Sequence, residues 1–136
     1  MSNRMEAAAA ILVVDDAPEN IRTLSTALKK HRITPAKSGG EAMEILRGGD
    51  LPDLILLDVA MPGLGGYELC RRIKSIEKIR EIPVIFITDK TEDEDEAYGL
   101  RLGAVDYIPK PFNLPVAEAR VETHIQLKKY KDYLEE

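Results

Sequence analysis

Short apolar runs, each closed by polar or turn residues, recur at Ala10–Val14, Ile33–Ala36, Leu54–Asp58, Val84–Thr88 and Asp106–Pro109. Between them the apolar period changes to three and four: Ile21, Leu24, Leu28; then Ala42, Ile45, Leu46; then Leu69, Cys70, Ile73, Ile76. Strand and helix therefore alternate five times. The strand ends, at 14, 36, 58, 88 and 110, lie 22, 22, 30 and 22 residues apart, room for one right-handed crossover each. Runs that are apolar throughout, not at alternate positions, belong to strands buried on both faces. The expected fold is α/β: a five-stranded parallel sheet with helices on both faces, in a single domain.

Local signals agree. Pro18 suits the first turn of helix one, Gly48-Gly49 ends helix two before Pro52, and the acidic run Glu92 to Glu96 opens helix four, where negative charge favours the helix dipole. At 136 residues the chain fits one core. The net charge of −5, with no local basic patch, argues against direct binding of nucleic acid or anionic membrane. The lone Cys70 lies in an apolar helical pattern, which predicts ordinary core packing and a reducing compartment. The apolar run near the N-terminus ends in Asp15-Asp16 without a small-residue cleavage site, and nothing reaches the roughly 18 apolar residues of a membrane span. The expected location is the cytoplasm.

In an open parallel sheet, ligands bind beyond the carboxyl ends of the strands, where strand order reverses. For the common order 2-1-3-4-5 that point lies between strands one and three, which end in Asp15-Asp16 and Asp58. Thr88 ends strand four and Lys110 follows strand five, on the same edge. With strands about 4.8 Å apart, Lys110 must cross roughly 10 Å to face Asp58, within the combined reach of a long side chain and a small bound anion. Two carboxylates 4 Å apart repel by about 4 kcal/mol at an effective dielectric of 20, so protons or a cation must offset the cluster. Oxygen donors and a few carboxylates suit Mg²⁺. Lys110 and the Thr88 hydroxyl supply a positive charge and a donor for an anion beside the metal. These parts suit phosphoryl transfer, with Asp58 a candidate nucleophile.

Asp15-Asp16 after ILVV, Asp58 in LLDVAMPGLGG, Thr88 after VIFI and Lys110-Pro111 in GAVDYIPKPF, in that order, resemble the receiver domains of bacterial two-component response regulators over residues 9–126. Residues 1–8 would then be an N-terminal segment, and 127–136 an extension of the last helix serving as a linker. The resemblance implies that Asp58 accepts a phosphoryl group from a phosphohistidine on a sensor histidine kinase or phosphotransfer protein. It implies that Asp16, Asp58 and the Ala60 carbonyl ligate Mg²⁺, with Asp15 acting through water. Lys110 would pair with the phosphoryl oxygens, Thr88 would move to meet them, and Tyr107, at the aromatic switch position, would turn inward behind Thr88. The Lys110-Pro111 peptide is cis in the family. No external substrate would be turned over, and the output would pass through the face of helix four, strand five and helix five. Residues 97–136 are similar to receivers that precede cyclic-dinucleotide enzymes or histidine kinases.

Individually these residues have plainer readings: Asp15-Asp16 as a helix cap, Thr88 and Lys110 as structural, Tyr107 as packing. Only their joint placement at one sheet edge favours a site. Gly39-Gly40 lacks the Gly-Lys-Ser/Thr of a phosphate loop, and His31 and His124 have no partner at metal-ligand spacing. Two rivals stand: a constitutive interaction scaffold that has lost the switch, and an aspartyl phosphatase, which would want an acid where Ala60 stands. Asp89, followed by Lys90, departs from the small residue usual after the switch hydroxyl. On the last helix, read as Asn113 to Glu136, Leu114, Ala117, Val121 and Ile125 form the expected core stripe. A second stripe of Val116, Thr123, Leu127, Tyr130 and Leu134, near heptad spacing and interrupted by Arg120, is expected to form a short parallel coiled coil that joins two receivers as a homodimer and passes the phosphorylation state to a downstream output domain.

Overall fold

The computed structural model describes residues 8–89 and 93–135; Lys90 and Glu92 fall outside them. The five apolar runs form β1 (Ala10–Val14), β2 (Arg32–Ala36), β3 (Leu54–Asp58), β4 (Val84–Thr88) and β5 (Asp106–Pro109). They pair in parallel in the order β2-β1-β3-β4-β5. Between and after them run α1 (Pro18–Ala27), α2 (Gly39–Arg47), α3 (Gly66–Ser75), α4 (Asp93–Arg101) and α5 (Leu114–Leu134).

Because successive strand residues point to opposite faces, each central strand feeds two cores. Leu12, Val14, Ile55, Leu57, Val84 and Phe86 pack beneath α2 and α3, against Ala42, Leu46, Leu69, Cys70 and Ile73. Ile11, Val13, Leu54, Leu56, Ile85 and Ile87 pack against Leu24 and Leu28 and against Ala117, Val121 and Ile125 of α5. Cys70 is fully buried, as its pattern predicts. Strand β2 is the exception to the unbroken apolar run. It begins one residue earlier than expected, is mostly exposed, and carries Pro35, whose missing N–H an edge strand tolerates.

Helix ends follow the local chemistry. Pro18 opens α1, the Ser38 hydroxyl accepts from Glu41 N at 3.1 Å to cap α2, and the Asn113 side chain accepts from Val116 N at 3.2 Å to cap α5. Of the expected core residues Ile21 and Ile45 are half-buried, and two are exposed. Ile76 is the extended cap beyond α3, outside the helical stripe. Leu114 is the first residue of α5, at the rim where the helix starts back from the carboxyl edge of the sheet, and the buried stripe begins a turn later at Ala117. Asn113 is the cap and not the first helical residue, so α5 runs 21 residues, about 31 Å. No helix among the described residues is long and apolar enough to cross a membrane.

Candidate functional site

The sheet delivers its polar residues to one edge by extending its own ladder. Asp15 N donates to Ala36 O at 3.0 Å, Val59 N to Ile87 O at 3.0 Å, and Lys110 N to Thr88 O at 2.8 Å. Residues just beyond three strands are thereby held as firmly as the strands themselves. Asp15, Asp16 and Asp58 meet there, each able to offer one carboxylate oxygen within 4.8 Å of the others. Thr88 ends β4 in register with Pro109 of β5, and the Lys110–Pro111 peptide that follows is cis.

Each carboxylate has a distinct setting. Asp15 is fully buried, and both its oxygens are engaged: Oδ1 accepts from Ala17 N at 2.9 Å and Oδ2 from Asn20 Nδ2 at 3.1 Å. The first turn of α1 thus orients it. Asp16 is exposed and opens the cluster to solvent. Asp58 is 2% exposed, with its Oδ1 accepting from Lys110 Nζ at 3.1 Å and from Ala60 N at 3.2 Å. Lys110 thus reaches Asp58 directly across the strand ends. Burial pushes the Asp58 carboxyl above its ordinary value; the Lys110 hydrogen bond opposes this, and the nearby charge of Asp15 adds to it. An anion so placed is stabilised by a cation. The donor set, three carboxylates each offering an oxygen within 4.8 Å of the others, fits a hard divalent ion such as Mg²⁺.

A close backbone approach, unforeseen in the sequence, fixes the Asp58 loop. Gly66, the first residue of α3, donates its N–H to Val59 O at 3.2 Å, and a Cβ at Gly66 would lie 2.2 Å from the Asp58 carbonyl oxygen. The only sequence signal is the Gly65-Gly66 pair itself, which does not show the contact. On the far side of β4, Thr88 is 6% exposed and Tyr107 is half-buried. Tyr107 lies beneath the Arg120 guanidinium, 5.3 Å from ring centroid to Cζ, and its carbonyl accepts from Arg120 Nη1 at 2.6 Å. Neither Arg120 nor Asn20 stood out by type or spacing. Asp89 is exposed.

The two histidines are tied into the scaffold. His31 Nδ1 accepts from Ala9 N at 2.9 Å while Nε2 meets Glu122 of α5, and His124 Nε2 meets Asp106 Oδ2 at 3.0 Å.

Comparison with known proteins places this geometry in a family. The model of the response regulator receiver domain matches residues 11–122. A probable cyclic di-GMP phosphodiesterase of Vibrio cholerae is 48% identical over 125 residues, 91% of this chain but 28% of that protein, so the chain spans little more than a quarter of its length. Protein PilH of Pseudomonas aeruginosa is 38% identical over 105 residues, 76% of this chain and 86% of its own. The signal receiver domain of a signal transduction histidine kinase from Syntrophus aciditrophicus superposes with a TM-score of 0.79 at 35% identity, covering 87% of this chain and 90% of that one. The chain belongs to the response regulator receiver domains of two-component signalling.

Proposed function

We propose that Asp58 is the phosphoacceptor of this receiver, taking a phosphoryl group from a phosphohistidine on a sensor histidine kinase or phosphotransfer protein. The observation that carries the reading is a nearly buried carboxylate at the end of a central strand. It meets an ammonium at 3.1 Å on one side and two further carboxylates within 4.8 Å on the other. In the transfer an Asp58 oxygen forms a bond to phosphorus, the phosphorus–nitrogen bond breaks, and the imidazole leaves with its electron pair and is protonated. Asp16, Asp58 and the Ala60 carbonyl would hold Mg²⁺, with Asp15 acting through water, and the ion would supply positive charge opposite the phosphoryl oxygens. Asp15, held by Ala17 and Asn20, fixes the geometry of that side.

Lys110, already on Asp58 Oδ1, passes to the new phosphoryl oxygens, which bring roughly −1.5 to −2 charge and three acceptors. The Thr88 hydroxyl donates to one of them, and Tyr107 turns in behind it. A few charge-assisted hydrogen bonds are enough to reverse a two-state population that rests 2 to 3 kcal/mol in favour of the inactive form, an order-of-magnitude figure. The switched surface is α4, β5 and α5, where Leu100 and Val105 are exposed. A second copy or a downstream output module docks there, or on the exposed Leu127, Tyr130 and Leu134 of α5. Residues 9–126 act as the receiver and 127–136 as the linker, in the cytoplasm, where a free buried thiol is at home.

The test is labelling by acetyl phosphate with Mg²⁺. Wild-type protein should take up one acid-labile phosphoryl group per chain, and Asp58→Asn none. Label that persists in the variant removes the assignment, and absence of labelling in wild type favours a constitutive scaffold.

A further inference from the structure

The resting position of Tyr107 is built by two charged side chains from different helices. Arg120, on α5, covers the ring at 5.3 Å and donates to the Tyr107 carbonyl at 2.6 Å. Glu96, on α4, lines the same cleft as Thr88 and Tyr107. Hydrogen bonding to Glu96, then burial, then the charge of Glu96 raise the Tyr107 phenol above its ordinary value. A protonated phenol is the form that can donate to that carboxylate.

The same helix narrows the cleft beside Thr88. Bordered by Tyr107 and Glu96 and continuing between Val59, Phe86, Thr88 and Gly99, it has room for about one water molecule as it stands, too little for a phenol ring. Helix α4 lies tight against it, since a Cβ on Gly99 would come within 2.9 Å of the Phe86 ring. Tyr67 stands edge-on to both Phe86, at 5.3 Å, and Tyr98 of α4, at 4.9 Å. An inward turn of Tyr107 needs this cleft to widen, and α4 is one of its walls. Glu96 lies three residues before Gly99, so one helix both meets the phenol and narrows the space it would enter.

We propose that Glu96 and Arg120 are positioning residues that clamp Tyr107 outward between α4 and α5, and so set how far the receiver rests toward its inactive state. The proposal rests on the reading of Asp58 and Thr88 above. Weakening the clamp raises the population of the inward state, and with it the rate at which Asp58 is phosphorylated by a small donor. Glu96 is the more informative of the two, because it acts on the phenol oxygen and not on the backbone.

Glu96→Ala and Arg120→Ala, each checked by thermal unfolding, should label with acetyl phosphate and Mg²⁺ at least threefold faster than wild type. With Phe at 107 there is no hydroxyl to hold, so adding Glu96→Ala to Tyr107→Phe should leave the rate of that variant unchanged. A rate unaltered by Glu96→Ala, or altered equally with Tyr and Phe at 107, overturns the clamp. A second readout needs no phosphorylation: in ring-labelled tyrosine spectra, Glu96→Ala should shift Tyr107 contacts from Arg120 toward Thr88, and an unchanged contact pattern also overturns it. Loss of label in Asp58→Asn, run alongside, shows separately whether the phosphoacceptor reading stands.

Discussion

Gly66→Ala should be among the most disruptive single-methyl changes in this chain. The added Cβ would lie 2.2 Å from Asp58 O, 2.8 Å from Val59 Cα and 2.9 Å from Asp58 C, all backbone atoms at the end of a central strand. Ordinary contact begins near 3.4 Å, so α3 and the Asp58 loop must separate by about an ångström, with no flexible side chain to absorb it. Overpacking costs typically about 1–3 kcal/mol, occasionally more, and with backbone on both sides the upper part of that range applies. The helix preference of Ala over Gly returns up to about 1 kcal/mol, leaving a net loss of roughly 2 kcal/mol from a domain stability of about 5–15 kcal/mol. Urea unfolding followed by circular dichroism should show a lowered midpoint at unchanged slope. Labelling by acetyl phosphate should fall as well, because the displaced carbonyl belongs to Asp58 itself. Gly40→Ala is the control: its nearest neighbour would be Ser38 Oγ at 4.0 Å, and a helical site with space should gain about 0.5 kcal/mol. If Gly66→Ala unfolds within 0.5 kcal/mol of wild type, the close approach of α3 to the Asp58 carbonyl is not what that glycine serves.

Burial alone would raise the Glu122 carboxyl, but hydrogen bonds from His31 and Lys30 outweigh it and hold it below its ordinary 4.5. A depressed carboxyl stabilises the fold fully above its unfolded value and stops doing so as pH falls through the folded one. Glu122→Gln should therefore be less stable than wild type at pH 7, with the gap closing below about pH 4.5 in paired melts; a gap independent of pH would rule this out. Asp89→Ala, at an exposed position, should leave stability within about 0.5 kcal/mol yet change the labelling or decay rate severalfold, and unaltered kinetics would mean that Asp89 only faces solvent. Truncation after Gln126 removes Leu127, Tyr130 and Leu134, which are 58%, 57% and 68% exposed. In sedimentation with a phosphoryl mimic, the full chain should self-associate and the truncated one should not; monomers throughout at high micromolar concentration would discard the α5 interface.

The sheet was legible because a strand buried on both faces writes its burial directly into the sequence. Leu54–Asp58 and Val84–Thr88 are apolar up to their last residue and buried throughout, whereas edge strand β2, with Arg32, Thr34 and Pro35, shows a weaker signal and a shifted start. The site residues inherited that clarity, since knowing where the strands end fixes which edge Asp15, Asp16, Asp58, Thr88 and Lys110 share. What periodicity does not carry is the partner. It reports the face a side chain points to, but nothing in it joins His31 to Glu122, 91 residues away, or sets Gly66 against the Asp58 carbonyl. The acidic opening of α4 shows the difference. On a bare helix, Glu96 is one more charge favouring the dipole. In a sheet where β5 lies at the edge and α5 crosses behind it, the same carboxylate stands over a cleft with Tyr107 and Thr88. A surface charge acquires a specific role only when the strand order has decided which neighbour it faces, so the residues that bias this switch look, in one dimension, like any solvated helix.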